Sequence, residues 1–391
     1  MKAFTYKHTI AACLFGYISQ AVIVNLAPLL FLTFTEEFSL QLSQITLLTT
    51  LNFSVQLLTD LLASKYAGKI GYRKCVVAAY LFCAAGLLGM AFLPSVLPPL
   101  FGLLCSTFLY AVGGGLLEVL ISPIIESCPT KNKTGMMSIL HSFYCWGVVA
   151  TVLLSTLFFV VCGVENWRIL SCAWSVLPIL TAIFFTQVPL YEIASDDGDK
   201  PNYKALFSQK IFWVVVLLMI CSGACELAVA QWASALTEQG LGVSKTMGDL
   251  LGVCGFAVMM GVARSLYGKF SEKLPLKPTM AICAFACAVG YLMIAFSPIP
   301  LVGFLGCMLC GFSVGVFWPG TFSLATRSVK NGGTTMFALL ALAGDTGCTL
   351  GPTLVGFCSV DSGLQTGILF ALVFPALLLL ALAMLKGQKT E

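Results

Sequence analysis

The feature that most constrains this chain is its succession of apolar runs, each about as long as a bilayer is thick, separated by short polar breaks. A hydrocarbon core of about 30 Å takes around 20 residues as a helix, and a helix satisfies its own backbone hydrogen bonds there. The runs predict helices over 8–34, 41–64, 75–94, 98–125, 135–162, 167–189, 211–237, 247–270, 279–297, 300–326, 334–358 and 364–385. Only 10% of the residues are charged and 59% are hydrophobic, so a water-soluble fold has no means of hiding this surface. An all-α membrane protein with 12 transmembrane helices is therefore expected. The first run follows Lys2 and Lys7 as a signal peptide would, but it is too long for a signal h-region and has no obvious small-residue cleavage site.

Twelve spans place both termini on one side, and the basic residues test that arrangement. Of 21 Lys and Arg, all but Arg168 and Lys245 fall on the side of the termini. Cytoplasmic loops carry the excess of Lys and Arg, so the termini are expected in the cytoplasm and the protein in the cell membrane. A missed helix would swap every later loop and scramble this bias. The net charge of +4 needs no nucleic-acid partner to explain it. Seventeen cysteines lie mostly inside apolar runs and read as small buried residues. Cys307 and Cys310 have the spacing of a metal or redox pair, but no second pair or histidine accompanies them.

The longest polar stretch, from Tyr191 to Lys210, reads as a linker between two halves that resemble each other. Gly68-Lys69 recurs as Gly268-Lys269. Gly86 and Pro94 recur as Gly290 and Pro298, Gly115 and Pro123 as Gly311 and Pro319, and Met136 and Gly147 as Met336 and Gly347. A repeat of six helices is the pattern of a parallel-repeat transporter.

On these features the chain resembles the major facilitator superfamily. The family's loop after the second helix reads Gly-x-x-x-Asp-Arg-x-Gly-Arg-Arg; here Ser64 to Lys74 keeps Gly68, Gly71, Arg73 and Lys74 and lacks the acidic position. The resemblance implies two pseudo-symmetric six-helix bundles, 1–190 and 211–391, joined by a cytoplasmic linker over 191–210, and a monomer. Within the family, Gly113-Gly114-Gly115-Leu116-Leu117-Glu118 with Pro123, and Gly223-Ala224-Cys225-Glu226, resemble the fucose permease branch of sugar:proton symporters. That branch tends to have an aspartate in its first helix, where this chain offers Asn25, so a scheme using two carboxylates is not carried over unchanged.

An ionisable side chain costs roughly 2.5–3.5 kcal/mol or more in the hydrocarbon, so each such residue asks for a role. Glu118 lies deep in the fourth predicted helix and is expected to face the interior, where a carboxyl can bind and release a proton; the resemblance implies the same role. The alternative is a carboxylic acid that only ties two helices together. His141 in the fifth helix could relay a proton to Glu118 or could simply donate to a backbone carbonyl. Glu226 and Asp345 fall near mid-membrane and are candidates for proton or substrate binding; Gly344 and Gly347 beside Asp345 equally serve close packing. Asp60 and Arg264 are expected to be structural, the latter anchoring a loop.

A sugar offers C–H faces to aromatic rings and hydroxyls to polar groups. Gln20, Asn25, Glu118, Phe143, Trp146, Glu226, Gln231, Trp232, Trp318 and Asp345 supply that mixture, although Trp and Phe also face lipid in any membrane helix. No phosphate-cradling Gly-x-x-x-x-Gly-Lys-Ser/Thr loop and no metal-ligand cluster is present, so no cofactor and no enzymatic activity are expected. No arginine is expected at mid-membrane depth, which disfavours strongly anionic cargo. The sequence thus points to secondary transport of a small neutral polar solute, a monosaccharide by preference, coupled to protons or sodium. A proton antiporter exporting an organic cation or amphipathic drug is the alternative, and a non-transporting membrane sensor is a third class.

Overall fold

The computed structural model describes residues 4–130, 133–191, 206–270, 275–330 and 333–385. Most of the expected 191–210 linker, the chain ends and the side chains of Lys133, His141 and Lys269 lie outside the described residues. Among those residues there is no strand, and 12 helices are long and apolar enough to cross a membrane. These are α1 (Tyr6–Leu29), α2 (Leu42–Ala63), α3 (Tyr72–Val96), α4 (Pro99–Ser127), α5 (Ser142–Cys162) and α6 (Val164–Gln187), then α7 (Lys210–Ala230), α8 (Lys245–Tyr267), α9 (Leu276–Ala295), α10 (Pro300–Ser328), α11 (Met336–Cys358) and α12 (Leu364–Met384).

The chain divides into two compact units, Met1–Ser195 and Asp196–Glu391, with six of these helices in each. In the first, α3 packs on α4 and α6, α2 on α4, and α1 on α5; in the second, α9 packs on α10 and α12, α8 on α10, and α7 on α11. The two patterns are the same list displaced by six helices.

Glycine explains why they match. A Cβ at Gly86 would strike Tyr110 and Ser106 of α4, and one at Gly290 would strike Cys310 and Gly306 of α10. Likewise Gly115 lies against Gln56, Thr59 and Asp60 of α2, while Gly311 lies against Phe256 of α8. Gly147 lets α5 approach Ile18 and Ala21 of α1, as Gly347 lets α11 approach Ile220 and Ala224 of α7. Without a hydrophobic driving force between helices in lipid, such close backbone contact supplies the association. Two further glycines mark equivalent turns: Gly163 before α6 has φ +86° and Gly363 before α12 has φ +82°, a conformation that side chains disfavour.

Four predicted helices are interrupted, the twelfth at Leu372, between Leu364–Ala371 and Val373–Met384. The first run ends as α1 at Leu29, with Pro28 in its last turn, and a separate short helix follows over Phe31–Phe38. The seventh breaks at Gln231–Trp232 and the tenth at Gly315–Val316. Wider π-helical turns occupy Leu236–Gly240 and Gly248–Cys254.

The apolar residues that remain exposed, such as Leu58, Phe92, Val96, Leu157, Val160, Ile282, Phe285 and Leu380, form the kind of surface that lipid covers. The two basic residues that the charge count left on the outer side are both neutralised: Arg168 Nη2 lies 2.5 Å from Glu37 Oε1, and Lys245 Nζ lies 3.3 Å from Asp249 Oδ2.

Candidate functional site

In the first unit the chemistry gathers on the face of α4 turned to α1 and α2. One face of α2 is polar and buried, with Thr49, Asn52, Gln56 and Asp60 at helical spacing, and Gln56 Nε2 donates to Asn52 Oδ1 at 3.2 Å. Gly114 and Gly115 admit this stripe: a Cβ at Gly114 would meet Gln56 Nε2 and Gln20 Oε1, and one at Gly115 would meet Asp60 Oδ1. Glu118 follows Gly114 by one turn.

Its carboxylate and that of Asp60 place oxygens within 4.8 Å of one another. Asp60 is 5% exposed, whereas Glu118 is exposed. One turn further along, Ser122 Oγ lies 3.2 Å from the Tyr17 hydroxyl of α1. The result is a buried carboxyl beside a reachable one, with a hydroxyl pair next in line.

The other residues expected in this unit have varied surroundings. Gln20 is buried, and its Oε1 has no hydrogen-bond partner among the described residues. Asn25 is buried and donates to Ala21 O in its own helix at 2.9 Å. Phe143 is half-buried, and Trp146 is exposed beside the Gly147 contact.

In the second unit Glu226 of α7 is buried and meets Arg264 of α8, with Oε2 3.3 Å from Nη2. Arg264 sends its charge to a carboxylate on another membrane-spanning helix, beyond the loop that the sequence reading gave it. Glu226, which the sequence reading places near mid-membrane, thus has an arginine for a partner. One turn before Glu226, the Ser222 hydroxyl lies 3.3 Å from that of Thr321 in α10.

Gln231 and Trp232 occupy the break after α7, both buried, and the Trp232 indole N–H donates to Pro352 O of α11 at 2.9 Å. That commitment makes Trp232 part of the packing between α7 and α11. The Trp318 ring lies against Gly344, next to half-buried Asp345.

Sequence reasoning missed Asp249, which is fully buried in α8, accepts from Ser234 Oγ at 2.5 Å and pairs with Lys245 one turn away. The i,i+4 spacing of Lys245 and Asp249 was a usable signal. So was the polar periodicity of Thr49, Asn52, Gln56 and Asp60 inside an apolar run.

The family model of the Major Facilitator Superfamily matches residues 10–352 and 239–390. The chain belongs to the Major Facilitator Superfamily. It is thus a transporter, not an enzyme, and a multi-pass membrane protein. No curated protein sequence matches it.

Among solved members of similar fold is a D-xylose-proton symporter, 15% identical, with TM-score 0.78 over 97% of this chain and 96% of that one. The xylose transporter XylE from E. coli in an inward-open conformation is 13% identical, with TM-score 0.79 over 98% of this chain and 97% of the other. A nucleoside transporter, NupG, is 13% identical with TM-score 0.78, covering 97% and 99% of the two chains. At these identities the superfamily likeness is one of fold, and it does not single out the fucose permease branch.

Proposed function

We propose that this superfamily member carries a small polar solute of the monosaccharide class across the cell membrane, coupled to protons by alternating access. The observation that carries the reading is the pairing of Asp60 with Glu118 inside two membrane spans. A carboxyl in the hydrocarbon is costly and marks ion or substrate pathways. Here one of the two is reachable from outside the unit and can take a proton, while its buried neighbour offers the proton a second place to reside. The likeness in fold to a D-xylose-proton symporter supports the same reading.

Glu118 is the principal proton carrier in this scheme, with Asp60 as its partner. Gln20, with an acceptor oxygen that has no partner among the described residues, suits a sugar hydroxyl, and Trp318 beside Asp345 suits a ring face. The basic residues on the side of the termini support a cytoplasmic location for both ends. A monomer is the working assembly.

A second reading, a proton antiporter for organic cations, draws on the same acidic pair, since a cation would be attracted to it. The test is a thermal-shift screen of the purified protein against neutral sugars, sugar acids, nucleosides and organic cations at two pH values, with and without sodium. Stabilisation by a sugar or sugar acid supports the symporter. Stabilisation by cations alone transfers the assignment to the antiporter.

A further inference from the structure

The end of the second unit that carries its basic residues has a surface that the transport scheme does not use. Phe207 lies just before α7 and Trp213 in its first turn, and both are exposed, at 44% and 54%. Their rings sit 5.6 Å apart, and buried Phe212 lies 5.9 and 5.7 Å from the two. The Trp213 indole N–H donates to Phe207 O at 3.0 Å. A tryptophan at a membrane boundary ordinarily keeps its N–H for headgroups and water. Here the N–H is held within the protein, so the two exposed rings offer apolar surface alone.

Three cations border these rings. The Gln209 side chain donates from Nε2 to Lys330 O and accepts from Lys330 N, both at 3.0 Å. This two-point tie joins the start of α7 to the residues just past the end of α10 and brings Lys210 and Lys330 together. Arg327 stands in the last turn of α10, and Lys210 and Trp213, three residues apart, are neighbours on the surface of α7. Lys210, Arg327 and Lys330 are exposed, and none has a carboxylate partner among the described residues.

We propose that this surface binds an acidic phospholipid, with the lipid phosphate among Lys210, Arg327 and Lys330 and the glycerol and first acyl methylenes on Trp213 and Phe207. Basic residues next to a membrane span attract anionic headgroups, and here two helices supply them to one place. A soluble phosphate would meet the cations and leave the rings bare. A choline lipid would cover the rings and bring its own cation against the lysines. An acidic phospholipid satisfies both halves of the surface, and it braces the start of α7 against the end of α10.

The experiment reads tryptophan fluorescence of the purified full chain in nanodiscs, using phosphatidylglycerol or phosphatidylcholine with brominated acyl chains, which quench only at short range. The difference between the native chain and Trp213→Phe isolates the share of Trp213. At equal low mole fraction, brominated phosphatidylglycerol is expected to quench that share at least twofold more than brominated phosphatidylcholine. Combining Lys210→Gln, Arg327→Gln and Lys330→Gln is expected to abolish the preference. Because Gln209 bonds the backbone of Lys330, these side-chain changes leave the tie between α7 and α10 in place. Equal quenching by the two lipids in the native chain, or a preference that survives the triple variant, overturns the proposal. Displacement of the brominated phosphatidylglycerol by inorganic phosphate overturns the assignment to a lipid.

Discussion

Asp60 and Glu118, on neighbouring helices of the first unit, hold carboxylate oxygens within 4.8 Å of one another, the former sealed in the packing and the latter exposed. Two like charges at that separation interact strongly in a medium of reduced dielectric, so the proposed scheme treats the two groups as one proton-handling unit.

Under that scheme their effects on coupling are not additive. Asp60→Asn is expected to slow proton-coupled uptake by about tenfold, and Asp60→Asn with Glu118→Gln to be no worse than Glu118→Gln alone. Proton flux in proteoliposomes measures this; losses that simply multiply would show two independent groups.

The matched glycines predict unequal costs. At Gly347 an added Cβ meets the backbone of Ile220 and Ala224, which cannot move aside, whereas at Gly147 its nearest neighbour is the Ala21 side chain. Gly347→Ala is expected to lower stability by about 1–3 kcal/mol, as overpacking does, and Gly147→Ala by less. Thermal unfolding in detergent compares them.

Trp232 is expected to behave as a packing residue. Trp232→Phe leaves Pro352 O without its indole donor, at a cost of about 1–3 kcal/mol for a stranded buried acceptor. The unfolding temperature should fall while the preference among sugars holds; a changed preference would return Trp232 to the binding site.

Cys162 tests the orientation. It is an exposed free thiol at the end of α5, beside Gly163, on the side opposite the basic loops. A membrane-impermeant maleimide is expected to label it on intact cells, and the labelling to vanish in Cys162→Ser. Labelling of Cys162 only in inverted vesicles would reverse the topology.

The twelve spans were legible because hydropathy and span length are set by the solvent, not by tertiary contacts. The repeat was legible at Gly86, Gly115 and Gly147 because close helix contact demands the smallest residue and so leaves a mark in the sequence. The site was less so, because the halves share a scaffold and not their chemistry: under the offsets of those glycines, Asp60 corresponds to Met260 and Glu118 to Val314. Depth along one helix also said nothing of reach between helices. By residue count Arg264 falls near the end of its helix, where it reads as an anchor for the adjoining loop, and only the structure shows that it meets Glu226. Asn25 fitted a sugar-binding recipe by composition, yet its amide donates to its own helix.

The most direct test of proton-coupled transport through Glu118 is tracer uptake of the best-bound sugar or sugar acid into proteoliposomes under an imposed inward proton gradient. The native chain is expected to accumulate the solute above equilibrium and to lose that accumulation when a protonophore is added. Glu118→Gln is expected to exchange solute without concentrating it. Accumulation indifferent to the gradient, or a Glu118→Gln variant that concentrates solute as the native chain does, would contradict the account.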